Sequence, residues 1–488
     1  MNAPSSVPGG PAQPLVTPLR ERPGRLLLLF LAWGVFSAWC VGGFPPCVDL
    51  AAHGAQMETL ASHLRGDPAV REVYGVHFPW GYGLIYWLLL PLALVTDGAV
   101  AVRVGMWLAV LFFPLSQLAL VRAWRRSDAV LLVGLPLAFN LSYWYGLLSG
   151  LFAQSLAFFT LALFVRALEA PSAKRVLWVN LLAAATFLSH LVAFAAVALA
   201  MAAVALSQRP WRVRFGVLVS SMGLPVLLSL PKVWSMATRA VIPGTWPVTE
   251  YNAVSHVNWF FKTYRPEGWL AAVGPLLVTA AFGAWWVRRR REEPVGPAVA
   301  FFSLVALYLV TPKTLSGIFL VSVRLPVLAG MSSLLLVDWR ALPRLVRGGL
   351  VALSLFSLGE TAVFHARFAH AVKGLDAVME GAPPGRHGYL SLVGSTLLGS
   401  RHLYLVHLGQ WLTATRGGVG HDFFTDAEHH PVHALPGKEP VRDLRTATPE
   451  QRQGFDTVLV FGEGALPVPL DTWREAAHAG GWRRLERP

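Results

Sequence analysis

Between residues 26 and 365, apolar residues run in long blocks, and charged residues collect in the gaps between them. Blocks of about 18 or more apolar residues predict helices that cross a bilayer. The blocks place spans at about 26–44, 100–121, 129–141, 147–166, 176–190, 191–207, 215–230, 269–287, 296–311, 317–337 and 348–365. A further apolar stretch, 81–96, is read as lying along the membrane surface. After residue 366 the blocks give way to short alternating segments: strand-like 388–393, helix-like 403–413, strand-like 457–461, helix-like 471–479 and a last short strand at 482–486. Alternation of this kind predicts a small α/β unit. Gly, Pro and His crowd 416–438, which reads as a long loop.

Composition agrees with a membrane protein. Of 488 residues, 54% are hydrophobic and 14% charged, against roughly 25% charged in soluble domains. The net charge is +14, which in a soluble chain would point to nucleic acid. Here the basic residues fall at Arg20/Arg22/Arg25, Arg122/Arg125/Arg126, Arg166/Lys174/Arg175, Arg209/Arg212/Arg214, Arg288–Arg291 and Arg340/Arg344/Arg347, 19 in all against six acidic neighbours. With 81–96 at the surface, all six clusters face one side, and the positive-inside rule makes that side cytoplasmic. The charge is thus an orientation signal, and no nucleic-acid partner is expected.

The expected architecture is an all-α polytopic membrane protein of about eleven transmembrane helices with a small extracytoplasmic α/β domain. Residues 1–25 form a disordered cytoplasmic tail, 26–365 the multi-span domain with outer loop 45–99, and 366–488 the outer domain. The setting is expected to be a bacterial inner (plasma) membrane. Cys40 and Cys47 leave room for one disulfide but no framework.

Candidate chemistry gathers on the outer side. Asp49 follows the first span and opens a helix-like run, and His53 lies four residues on, on the same helical face. An acid at the membrane boundary needs solvent or a partner and is a functional candidate; an N-cap is the compatible alternative. His190 sits where two short spans turn outward. Arg324 and Lys313 lie at the outer end of the tenth span, and Arg103 near the outer end of the second. Guanidinium groups recognise phosphate through paired donors, and snorkelling is the competing account. The stretch His421–His430 carries side chains that could ligate a divalent metal, but its spacing matches no defined site, so no cofactor is assigned. Zincin, P-loop, GxSxG and CxxC motifs are absent.

Several features together resemble the GT-C superfamily of integral-membrane glycosyltransferases, in its polyprenyl-phosphate-sugar-dependent, protein-mannosyltransferase-like branch. They are the first span, Asp49 in the first outer loop, the aromatic-Pro-Tyr stretch 78–86, the Gly-x4-Arg of Gly98 and Arg103, and the many-span core with an extracytoplasmic tail. The resemblance covers residues 25–365 and implies a sugar donor on a polyprenyl phosphate, a membrane-lipid partner and a glycan, lipid or protein acceptor. It implies Asp49 as base for the acceptor, with Arg103 and Arg324 matching family arginines and Arg324 treated as a phosphate ligand. Single displacement would invert the anomeric carbon. Two other classes stay open: a transporter or lipid flippase, and a catalytically degenerate cell-envelope scaffold. The clustering of polar residues at one face, with no internal repeat, favours the enzyme over the transporter.

Overall fold

The structure is a computed structural model that describes residues 23–208, 210–240, 295–313, 321–336, 339–394, 396–398, 403–420, 430–438, 444–467 and 472–488, with Val254, Trp259 and Val441. Residues 1–22 of the expected tail 1–25, the span at 269–287, the Arg288–Arg291 cluster and most of the His421–His430 loop lie outside the described residues, while residues 23–25 already belong to the first helix.

The described residues begin with α1 (Pro23–Val41). The outer loop then folds into α2 (Leu50–Arg65), α3 (Pro68–Val73) and β1 (Tyr74–Val76). α4 (Leu84–Val95) occupies the apolar stretch read as interfacial and has 12 residues. α5 (Gly98–Ala123) starts where the Asp97 side chain accepts from Val100 N at 2.7 Å. Such a cap satisfies one of the unpaired N–H groups of a first turn.

The expected span at 129–141 is not one continuous helix. It is a 3-10 turn (Asp128–Val130), α6 (Leu131–Gly134), a second 3-10 turn (Leu135–Phe139) and α7 (Leu141–Trp144). Pro136 lacks an N–H and obstructs the preceding turn, and Asn140 restarts the helix by accepting from Ser142 N at 2.8 Å.

Long antiparallel helices follow: α8 (Leu148–Glu169), α9 (Ala173–Ser189), α10 (Leu191–Ser207) and α11 (Trp211–Ala240). α12 (Gly296–Val310) packs against α10. The expected span at 317–337 is corrected in its described part: a 3-10 turn (Ser322–Arg324) leads into α13 (Pro326–Leu334), nine residues long and buried throughout. Pro326 takes the first helical positions, where a missing N–H costs nothing. α14 (Arg344–Ala371) completes the helical part. Among the described residues five helices are long and apolar enough to cross a membrane, accompanied by four shorter apolar helical segments.

The C-terminal unit starts at α15 (Leu375–Met379). Its strands are β2 (Arg386–Ser391), β3 (Val419–Gly420), β5 (Thr457–Phe461), β6 (Arg474–Ala479) and β7 (Trp482–Glu486), in the order β3-β2-β5-β7-β6, with α16 (Gln410–Arg416) between β2 and β3. β4 (Val432–Ala434) leaves this sheet and pairs antiparallel with β1 of the outer loop, Gly75 opposite His433. The segment 471–479 read as helical is corrected to a strand in its described part: β6 pairs antiparallel with β7 across a turn at Gly480. Gly480 holds φ +57, and its missing Cβ would lie 2.6 Å from Lys373 O. Trp482 anchors the sheet on the end of α14 by donating from Nε1 to Val372 O at 3.2 Å. Cys40 and Cys47 are both buried free thiols.

Candidate functional site

Helix ends build the site. Asp49 stands at the N-cap position of α2 with φ −101 and ψ −4, and its side chain makes no cap hydrogen bond. The carboxylate therefore points away from the helix it precedes. Its backbone is clamped instead: Val48 N donates to Trp144 O at 3.0 Å and Asp49 N to Tyr145 O at 2.9 Å. Gly146 makes that clamp possible. It holds φ +71, and a Cβ there would fall 2.6 Å from Leu50 N. Only glycine fits both the left-handed backbone and the close approach.

The Asp49 carboxylate interacts electrostatically with the Arg324 guanidinium, the Tyr86 and Tyr145 hydroxyls and the Cys47 thiol, and His407 stands beside it. His407 Nε2 lies 3.7 Å from Asp49 Oδ1, the two side chains being 10% and 18% exposed. Burial pushes the Asp49 carboxyl up to about 7, opposed by the positive charge of Arg324. Desolvation of this kind disfavours the ionised form, and a nearby cation restores part of it.

One turn along α2, His53 Nδ1 pairs with the Tyr86 hydroxyl, and His430 Nδ1 lies 3.2 Å from that same hydroxyl. The chain His53–Tyr86–His430 joins α2, α4 and the residues before β4.

His190 links α9 to α10 and is buried. Leu191 N donates to Gly81 O at 3.1 Å, and the Tyr82 ring meets the His190 ring edge-on at 4.8 Å. Arg324 Nη1 contacts His190 Nε2, while Val192 N donates to His190 Nδ1 at 3.2 Å. A neutral imidazole has one acceptor nitrogen. Both ring nitrogens here face donors, so one contact sets a donor against a donor whichever tautomer is present. Among the described residues Arg324 Nε is a further buried donor with no hydrogen-bond partner, and the guanidinium also bonds the Tyr82 hydroxyl. Donors thus concentrate in the Arg324–His190 region.

The remaining expected residues divide. Lys313 lies over the Trp259 ring at 6.0 Å, and Trp259 packs with Tyr145 against Leu141 and Val323, which places the lysine on the flank of the cluster. Arg103 does not join it. Its Nε donates to Ala99 O at 3.1 Å, its Nη1 to Gly43 O at 3.3 Å, and its guanidinium sits 5.7 Å from the Trp411 ring. Sequence reasoning missed His407, His430, Tyr86 and Tyr82 as neighbours of Asp49 and His190. The signal available was the excess of histidine after residue 369, which does not say which ring reaches back. Among the described residues no three His, Cys, Asp or Glu side chains converge to hold a metal ion.

No protein-family model matches the sequence, and no curated protein sequence matches it. Solved structures do match. ArnT from Cupriavidus metallidurans bound to undecaprenyl phosphate aligns with TM-score 0.57 at 11% identity, over 95% of this chain and 98% of that one. The same protein in its apo state aligns with TM-score 0.55, again at 11% identity, over 95% and 98%. At that identity the likeness speaks for the fold. The chain shares the fold of that protein, a helical core carrying a small C-terminal sheet unit.

Proposed function

We propose that the protein transfers a sugar from a polyprenyl-phosphate donor to an acceptor hydroxyl at the outer face of a bacterial plasma membrane, with the C-terminal unit on that face. The observation that carries this reading is the pairing of an elevated carboxylate, Asp49, with the donor-rich Arg324–His190 region in one cluster of helix ends. A phosphate offers acceptor oxygens to the Arg324 guanidinium, its Nε included, and to His190. The structural neighbour was solved with undecaprenyl phosphate bound, which supports this donor class.

The chemistry follows from the two halves of the cluster. Asp49 accepts the proton of the acceptor hydroxyl, whose oxygen forms a bond to the anomeric carbon. The bond from that carbon to phosphate oxygen breaks, and its electron pair goes to the phosphate. Arg324 and His190 stabilise the charge that develops there, and Lys313 adds positive potential from the flank. A single displacement inverts the anomeric carbon. His53, held by Tyr86, lies one turn from Asp49 and orients the acceptor.

The test uses full-length protein in proteoliposomes with a panel of undecaprenyl-phosphate-linked sugars, reading release of undecaprenyl phosphate. Asp49→Asn lowers turnover by roughly 10²-fold or more, the usual worth of a general base. Arg324→Ala weakens undecaprenyl phosphate binding by about tenfold or more, as loss of a charged hydrogen bond worth about 1.5–3 kcal/mol requires. Wild-type turnover rises with pH through about 7 as Asp49 ionises. Full turnover in Asp49→Asn rejects the base, and unchanged binding in Arg324→Ala rejects the phosphate site.

A further inference from the structure

The C-terminal unit does more than sit beside the helices. Trp411 of α16 is buried against Phe44, their rings 5.6 Å apart, and α16 lies along α2 so closely that a Cβ on Gly54 would meet Ala414 Cβ at 3.0 Å. The turn into α16, where Gln410 N donates to His407 O at 2.9 Å, brings the His407 ring to the N-terminal end of α2. There it meets Asp49 at 3.7 Å, within ion-pair range and almost out of solvent.

We propose that His407 is a positioning residue for transfer: it shares the proton of Asp49, holding the carboxylate ready before the acceptor arrives and receiving the proton afterwards. This rests on Asp49 being the base. In each turnover the acceptor hydroxyl gives its proton to the Asp49 carboxylate; the His407 imidazolium releases its own proton to the outer solvent and, now neutral, takes the proton of Asp49 at Nε2, so the pair returns to carboxylate and imidazolium and the protein ends with the charge it began with. Of the groups facing Asp49, Arg324 from the 3-10 turn is a fixed cation. Tyr86 from α4, Tyr145 from the turn after α7 and the Cys47 thiol are neutral donors at physiological pH. His407 from the C-terminal unit is the imidazole among them, its Nε2 3.7 Å from Asp49 Oδ1.

The pairing can be read without any donor or acceptor sugar. Dicyclohexylcarbodiimide modifies protonated carboxyls in apolar surroundings, and mass spectrometry of the full-length protein gives the modified fraction of Asp49 at each pH. In the wild type that fraction falls as pH rises through about 7. With His407→Gln the imidazolium no longer favours the carboxylate, and the fall moves up by about one pH unit or more. With His407→Lys a permanent cation replaces it, and the fall moves down. Glu58, a second buried carboxyl whose partners are Arg65, Ser62 and Gly98, keeps its profile in both variants and so reports an intact fold. Opposite shifts at Asp49 with a constant Glu58 profile support the pairing. Coincident Asp49 profiles in the wild type and both variants overturn it, as do parallel shifts in the two variants. A protein inert toward every sugar donor can still show the opposite shifts, so failure of the transferase reading is distinguishable from failure of this one. If transfer is observed, His407→Gln lowers kcat and leaves undecaprenyl phosphate binding unchanged.

Discussion

Two carboxylates on the same helix do different work because of what surrounds them. Asp49 at the start of α2 faces the cluster of helix ends. Glu58, nine residues on, is spent on packing: Oε1 takes Arg65 and the Ser62 hydroxyl, the latter at 3.1 Å, and Oε2 takes Gly98 N at 2.9 Å. Burial pushes the Glu58 carboxyl up, and Arg65, Ser62 and Gly98 oppose it. Gly98 lets α5 approach α2, since a Cβ there would lie 2.3 Å from Gly54 O. The Gly-x4-Arg pattern is thereby explained by packing: the glycine at a helix crossing, Arg103 on Gly43 and Trp411. Glu58→Ala leaves the Gly98 N–H without its acceptor and removes the charged one of Arg65, which keeps Ala93 O and Ser62 Oγ; this costs about 2 kcal/mol. We expect a lowered thermal unfolding midpoint in detergent, with turnover per folded molecule largely retained. An unchanged midpoint would show the clamp to be idle. Asp49, His190 and Arg324 could be singled out as residues because an ionisable side chain at or inside the boundary of an apolar span is costly unless solvated or paired. Their partners could not, because His407 and His430 lie more than 350 residues from Asp49 in sequence and only the fold brings them back.

At the scale of elements, regular apolar spans were legible and broken ones were not. The 3.6-residue period of an apolar block says nothing about where Pro136 or Pro326 will interrupt it. Residues 474–479 have helix-forming alanines, yet pairing with β7 overrides that local preference, as tertiary context commonly does. Nor could pattern predict that β4 would pair with β1, 356 residues away by the His77–His433 contact. That two-strand pair is the direct backbone link between the outer loop and the C-terminal chain, and it carries a titratable contact. His77 Nδ1 and His433 Nδ1 lie 3.2 Å apart, and Lys438 binds Glu72 at 2.8 Å beyond them. Burial first, then the charges of His77 and His63, hold the His433 ring below its ordinary 6.5. The unfolded ring therefore binds more protons than the folded one, so its contribution to stability is present above 6.5 and is lost as pH falls through the folded value. Amide exchange at β1 and β4, corrected for intrinsic rates, should be faster at pH 5 than at pH 7.5. In His433→Phe the difference should shrink. Equal protection at both pH values would remove the titration from the account of this link.

Over the whole molecule, charge and chemistry occupy opposite ends of the same helices. α5 begins beside Glu58 and ends at Arg122, which binds Asp128 at 2.7 Å. α8 begins near Tyr82, where Ser149 donates to Tyr82 O at 3.0 Å, and ends at Glu169, 3.4 Å from Arg125. α9 starts among the basic residues, with Arg175 on Ala170 O at 2.6 Å, and delivers His190 to the site. The described basic clusters of this part of the chain thus collect at the end away from Asp49, which is the geometry the positive-inside rule demands of a protein whose site opens outward. The C-terminal unit docks on α2, at the end of the helices where Asp49 stands. Reciprocal labelling decides the orientation. Cys40 and Cys47 are buried, so a single introduced cysteine carries the signal of a membrane-impermeant maleimide. Glu450→Cys, on an exposed turn of the C-terminal unit, should label in intact cells, and Ala173→Cys, exposed at the basic end of α9, only after permeabilisation. The reverse pattern would place Asp49 and His407 in the cytoplasm and send the acceptor search to cytoplasmic molecules. Labelling of both sites in intact cells would mean that the two ends do not lie on opposite sides of a membrane.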